Sequence, residues 1–304
     1  LIHKIKNSSE NLFIFGVRKG LYPTTICGHC GETVLCNNCE APTVLHSINK
    51  IRFFVCHKCG EKRSAEEKCK KCDSWKLIPL GIGIEKIEEE LQEKFPEVKI
   101  FRMDKDSVPT HKQAVKIVEK FYATPGSILL GTEMALIYLN DKVDNAAVVS
   151  IDPLLSVPDF RINEKIMYIL TRMRSLARQT FILQTRNPEQ KILDYALKGN
   201  LLDFYKEEIE QRKIFGYPPF GMIIKITLQG QKNAVVSEME KLVELFKPEE
   251  LITFHSYTQA LKGKYAMNGI LKLEPKKWPS EEITKKLLSL PPQFLIKIDP
   301  ESVL

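Results

Sequence analysis

The chain has 304 residues, 43% of them hydrophobic, and a formal net charge of +7 from 45 basic and 38 acidic residues. Length and composition predict a soluble globular protein of two domains rather than one. No run approaches the roughly 20 apolar residues of a membrane span, and Leu1 to Lys19 lacks the small-residue cleavage pattern of a secretory signal, so the expected location is cytoplasmic.

The basic excess suits an anionic partner without demonstrating one. The chain opens on Leu1, which fits an alternative start codon, a truncated sequence or a missing upstream portion.

In chain order, Leu12 to Phe15 reads as a short buried strand ending at Arg18-Lys19-Gly20. All eight cysteines follow, as Cys27-Gly-His-Cys30, Cys36-Asn-Asn-Cys39, Cys56-His-Lys-Cys59 and Cys69-Lys-Lys-Cys72. In a cytosolic protein such crowding argues for metal ligation rather than disulfides. Each pair sets two sulfurs close enough to share one tetrahedral ion. Four pairs thus supply two closed four-thiolate sites that suit structural Zn²⁺ and leave no open position for substrate water. A single redox-active CxxC, the competing reading, explains one pair and not four. Spacing leaves three ways of joining the pairs. With both shells complete, His29, His46 and His57 are expected at the surface or behind the ligands. Each four-thiolate zinc carries a formal charge of minus two. Lys50, Arg52, Lys58, Lys62, Arg63, Lys68, Lys70, Lys71 and Lys76 therefore serve to neutralise it, to touch phosphate, or both.

Beyond the cysteines, Leu77 to Leu80 predicts a strand, and Ile84, Ile87, Leu91 and Phe95 fall at helical spacing. A strand at Val98 to Met103, a helix from Lys112 to Tyr122 and strands at Ile128 to Leu130 and Ala146 to Ile151 follow. Glu164 to Arg178 predicts a helix burying Ile166, Leu170, Met173 and Ala177, and Phe181 to Gln184 closes the series. The alternation implies an α/β fold, a parallel sheet with helices on both faces, into which the cysteine module is inserted. Gly81-x-Gly83 reads as a strand-to-helix turn, Glu88 to Glu90 as solvated helix charges, and Asp104 and Asp106 as turn residues.

Ile192 to Ile214 reads as one helix, stopped before Tyr217-Pro-Pro-Phe220. Strand Ile223 to Leu228, helix Ala234 to Phe246, strands Ile252 to Tyr257 and Ala266 to Leu273, helix Glu281 to Leu288 and strand Phe294 to Ile298 then give βαββαβ, a ferredoxin-like α+β domain. Lys262, Lys264, Lys272, Lys276 and Lys277, with Tyr265 and Trp278, are candidates for a surface where cations meet phosphate and aromatics stack on bases.

Phe13-Ile-Phe-Gly-Val-Arg18-Lys19-Gly20, the four CxxC pairs, Gly81-Ile-Gly83-Ile-Glu85-Lys86, Phe101-Arg-Met-Asp104-Lys-Asp106, Gly131-Thr132-Glu-Met134, Asp159-Phe160-Arg161, Tyr217-Pro-Pro-Phe220 and Ile298-Asp299-Pro300 succeed one another as in the PriA family of replication-restart helicases, which the chain resembles over nearly all its length. The resemblance implies the second RecA-like lobe of a helicase, in two parts at 1–26 and 75–199. It places a two-zinc module at 27–74 and a C-terminal DNA-binding domain at 200–304. It pairs Cys27, Cys30, Cys69 and Cys72 on one zinc and Cys36, Cys39, Cys56 and Cys59 on the other. It marks Gly131, Thr132, Asp159 and Arg161 as motif positions. Among the basic residues of the chain, Arg18, Lys19, Lys264 and Lys272 are the candidate DNA contacts. Implied partners are forked or single-stranded DNA, primosome and single-strand-binding proteins, and a separate helicase lobe.

The family's ATP-dependent 3′ to 5′ helicase activity needs a phosphate loop, and nothing in the chain matches G-x-x-x-x-G-K-[ST]. ATP and Mg²⁺ are expected only if a first lobe is supplied. Ile137-Tyr138 aligns with the family's Lys-Gly, and Leu176 and Gln179 align with its two finger arginines. Loss of such a finger costs on the order of 10³ to 10⁵ in rate where it acts on GTP. Arg174 and Arg178, one helical turn apart, are the candidate substitutes, against a plain solvated helix face. Two readings compete: a helicase half, and a zinc-dependent DNA- or protein-binding module that consumes no ATP. The second is preferred for the chain as given. An unrelated zinc-ribbon protein would explain the cysteines alone.

Overall fold

Period-two alternation in one short apolar strand organises the larger sheet of the computed structural model, which describes the chain except residues 1–8, 18–23, 31, 38–42, 49–50, 57–60, 81–82, 106, 156, 158, 257–263 and 304. In β1 (Leu12–Gly16) every residue is buried. Phe13 and Phe15 enter one apolar cluster, and Leu12 and Ile14 enter another on the opposite face, as the pleat requires. A strand covered on both sides is a central strand of an α/β sheet.

The chain then leaves that sheet. β2 (Thr24–Cys27) pairs antiparallel with β6 (Leu77–Leu80), and between them β3 (Val44–Ile48), β4 (Ile51–Val55) and β5 (Lys62–Ser64) form an antiparallel meander. The expected strand at Leu77 to Leu80 exists, but it belongs to the foot of the inserted module and not to the parallel sheet. Its partner is fixed because Cys27 and Leu77 are in register, which brings the two ends of the insertion together.

On return, α1 (Ile84–Lys94), β7 (Ile100–Met103), α2 (His111–Tyr122), β8 (Ile128–Gly131), α3 (Glu133–Tyr138), β9 (Val143–Val149), α4 (Asp152–Leu155), α5 (Ile162–Leu176) and β10 (Ala177–Leu183) complete the first unit. Five parallel strands run in the order β10-β9-β1-β8-β7. Ile84, Ile87 and Leu91 of α1 cover one face, while Ala114, Val118 and Phe121 of α2 and Ile166, Leu170 and Met173 of α5 cover the other. Thr110 caps α2 by accepting from the Gln113 N–H at 3.4 Å, one of the orphan donors of a helix start.

Two helix boundaries differ from expectation. α5 ends at Leu176, and Ala177, at ψ 128°, starts a strand at once. The hydrogen bonds that β10 makes to β9 hold Ala177 and Thr180 to Leu183 extended, overriding the helical spacing of Ala177 and Arg178. The predicted helix from Ile192 to Ile214 is two helices, α6 (Lys191–Lys198) and α7 (Leu201–Phe215). Gly199, at φ +72°, closes the first with a left-handed cap, and the Asn200 side chain opens the second by accepting from the Asp203 N–H, a Gly-stop followed by an Asn-start.

β11 (Met222–Gly230), α8 (Lys232–Phe246), β12 (Leu251–His255), β13 (Tyr265–Leu273), α9 (Glu281–Leu288) and β14 (Leu295–Ile298) build the second unit. Its sheet is antiparallel throughout, in the order β12-β13-β11-β14. Val235, Met239, Leu242 and Phe246 of α8 and Ile283 and Leu287 of α9 pack on Ile224, Ile226 and Leu271. Among the described residues, no helix is long and apolar enough to cross a membrane.

Candidate metal centre and nucleic-acid interface

Cys27 ends β2, Cys30 lies in the turn after it, and Cys69 and Cys72 occupy the turn before β6. Antiparallel pairing of β2 with β6 therefore brings the two turns side by side. Their four sulfurs all lie within 4.8 Å of one another, with Cys27 to Cys72 at 3.5 Å and Cys30 to Cys69 at 3.6 Å. Zn–S bonds of about 2.3 Å in a tetrahedron set sulfurs about 3.8 Å apart, so the donor set and its spacing fit zinc. The N–H groups of Cys30 and His29 hold the Cys27 thiol down to about 6. At Cys72 the Ser74 N–H acts in the same direction, but burial and hydrogen bonds with the other three sulfurs push that thiol up to about 12. Four thiols this close cannot all ionise unaided, and a divalent cation supplies the compensating charge.

The backbone explains why these turns adopt one shape. The N–H of Cys27 donates to Glu32 O at 2.7 Å, that of Cys69 to Ser74 O at 2.9 Å, and that of Cys56 to Glu61 O at 2.8 Å. The same closure, from the first cysteine of a pair to the carbonyl five residues on, thus recurs at a third pair. Cys36 and Cys56 are both buried and are contiguous with the apolar core of the C-terminal sheet. Cys39, Cys59 and His57 lie outside the described residues, as does the His46 side chain. His29 is exposed and contributes its N–H to Cys27 at 3.4 Å.

Most of the module's basic residues have neighbours. Arg63 is clamped by Glu61 and Glu67 and donates to Leu35 O at 2.8 Å, so it braces the Cys36 turn from behind. Lys71 pairs with Glu32 at 2.9 Å, Lys70 donates to Asn37 Oδ1, Lys62 lies 4.0 Å above Phe53 and Lys68 5.3 Å from Trp75. Lys50 and Lys58 lie outside the described residues.

At the carboxyl edge of the parallel sheet, where α/β folds hold their ligands, Gly131 ends β8 and Thr132 precedes α3, its N–H donating to Met103 O at 3.2 Å. A Cβ on Gly131 would stand 2.5 Å from that of Ala135, so only glycine fits. Asp159 accepts from the Arg161 N–H at 2.9 Å, and the Arg161 guanidinium lies over the Phe160 ring. Asp104 forms the expected turn, accepting from the Ser107 N–H at 3.1 Å. Asp106, Gly81, Arg18 and Lys19 lie outside the described residues.

Glu88 corrects the expectation of a solvated charge, because it pairs with Arg102 at 3.0 Å, whereas Glu89 and Glu90 lie near Lys86. Sequence reasoning passed over Arg102, which also holds the fully buried Asp104 at 2.5 Å. The signal was present: Arg102 and Asp104 are two apart where a strand ends and so share one face.

Arg174 and Arg178 do not form a pair one turn apart. Arg174 is exposed in the last turn of α5 beside Gly199, while Arg178 stands on β10, 3.8 Å from Asp144. In the C-terminal sheet, Lys264 and Lys276 are exposed, but Lys277 lies 3.6 Å from Glu249. Lys272 donates to Phe215 O and covers the Tyr217 ring at 4.3 Å. Tyr265 is buried, its hydroxyl 2.6 Å from His255 Nδ1, and Trp278 packs half-buried on the core. Neither ring is an exposed base-stacking platform. Lys262 lies outside the described residues.

No family model matches the chain. It is similar to the replication restart protein PriA of Thermotoga maritima, 27% identical over 99% of this chain and 42% of that protein. The PriA proteins of Rickettsia felis, at 28% over 99% of this chain and 49% of the relative, and of Treponema pallidum, at 30% over 76% and 36%, are similar too. The chain spans less than half the length of these relatives, as a C-terminal half would.

Proposed function

We propose, from a chain related along nearly its whole length to replication restart protein PriA, that it serves replication restart as a zinc-stabilised module that binds branched or single-stranded DNA. In this reading the parallel sheet is the RecA-like second lobe of a PriA-type helicase, the inserted module holds two zinc ions, and the βαββαβ unit is the C-terminal DNA-binding domain. The observation that carries it is the four-cysteine cluster at the foot of an insertion between β1 and the rest of its sheet. Bound zinc supplies a cross-link between the turns before β6 and after β2, and no reactive water. Cys27, Cys30, Cys69 and Cys72 hold one ion, and Cys36, Cys39, Cys56 and Cys59 the other. Primosome and single-strand-binding proteins are the protein partners, and ATP with Mg²⁺ acts only with a first lobe that brings a phosphate loop.

A module that consumes no ATP is the favoured form for this chain by itself, because Arg174 and Arg178 sit on different elements facing different neighbours. Fluorescence anisotropy of the zinc-loaded chain against a labelled fork and a matched duplex, over a salt series, tests the proposal. Tighter fork binding that weakens steeply with salt supports it. No fork binding at low salt removes the DNA role and leaves protein partners as the function.

A further inference from the structure

We propose that Asp159, Phe160 and Arg161 form a latch that fixes the C-terminal sheet unit against the parallel sheet, with Asp159 as the catch and the segment after β14 as the strap. Asp159 Oδ2 accepts from Ser302 Oγ at 2.5 Å and from the Val303 N–H at 3.1 Å, contacts spanning more than 140 residues of chain. The strap is also held from its own side, where Lys225 on β11 donates to Ser302 O at 3.3 Å. Phe160 stacks on Tyr217 with ring centres 5.1 Å apart at 22°. The Arg212 guanidinium lies 5.4 Å from the same ring and meets Glu164 of α5 at 2.8 Å.

Three features make this a latch rather than a continuation of the core. The apolar clusters of the two units are separate, and the joint between them is built from charged, hydroxyl and aromatic groups, the composition of interfaces that open and close. Its strength is concentrated in one carboxylate, since charge-assisted hydrogen bonds exceed neutral ones. The latch also touches the carboxyl edge: Glu133, next to Thr132, pairs with Lys165 at 2.7 Å and lines the same cleft as Asp159, Arg161 and Ser302. The proposal is independent of DNA binding.

Hydrogen exchange on the full zinc-loaded chain tests it with Asp159→Ala and Val303→Pro, the second of which removes the strap's N–H and leaves Asp159 in place. Asp203→Asn, on α7 away from the joint, is the control. Opening predicts that the amides of Asp299, Glu301 and Ser302 and those of Tyr217 and Phe220 to Met222 exchange about tenfold to a hundredfold faster in both latch variants, while β1, β8 and β13 keep their protection. Unchanged exchange at Asp299, Glu301 and Ser302 overturns the latch, and so does equal acceleration of both sheets, which would make Asp159 an ordinary residue of the fold.

Discussion

Single side chains decide whether neighbouring elements hold. Arg102 reaches Glu85, Glu88 and the fully buried Asp104 at once, tying α1 to the end of β7. Its charge is held on despite burial by those carboxylates. Arg102→Ala leaves a buried carboxylate without its cation and should cost about 2–3 kcal/mol in urea unfolding. Asp152 behaves differently, since burial acts to raise its pKa while Thr185, the Arg186 N–H and Asn187 lower it below 3.8. A carboxylate with a depressed folded pKa adds stability above its unfolded value and loses it as pH falls through the folded one. Asp152→Asn should therefore be less stable than the parent at neutral pH, with the difference vanishing as pH drops below 3.8. Cys69→Ser should release one zinc per chain by metal analysis while the ion assigned to Cys36 and Cys56 stays bound. Loss of both ions would unseat the assignment of separate sites.

At the scale of elements, periodicity located the strands and helices and left their ends to local chemistry. β1, α1, α2 and β8 were legible because Leu12 to Phe15, Ile84 to Leu91, the run before Tyr122 and Ile128 to Leu130 each keep one hydrophobic pattern from end to end. Gly199-Asn200 was equally visible, yet Ile192 to Ile214 read as one helix because apolar residues continue on both sides of the break. Gly199→Ala tests how much that break matters, for it places a Cβ at φ +72° and 2.8 Å from Arg174. It should cost about 1 kcal/mol by urea denaturation. β10 was half-missed because its start, Ala177-Arg178, has helical spacing, and only pairing with β9 makes it extended.

Among the described residues, the molecule has two main sheets and an insertion whose strands join neither, although Cys36 and Cys56 of the insertion meet the apolar core of the second. Chelation should therefore strip protection from β3, β4 and β5 while the parallel sheet keeps its thermal transition, measurable by hydrogen exchange and circular dichroism with and without chelator. A global collapse would mean that the insertion helps to fold the sheet. The sequence by itself determined that thiols in CxxC pairs would gather into a cluster able to hold a metal, that α/β alternation would give a parallel sheet, and that βαββαβ would follow, because ligand chemistry and hydrophobic period are local properties of the chain. Only the tertiary structure decided that Leu77 to Leu80 pairs with Thr24 to Cys27, that Tyr265 and Lys272 are engaged within the fold, and that Asp159 grips Ser302. These depend on contacts between residues 10 to 143 positions apart, or on which face of an element is left to solvent, and no local pattern encodes either.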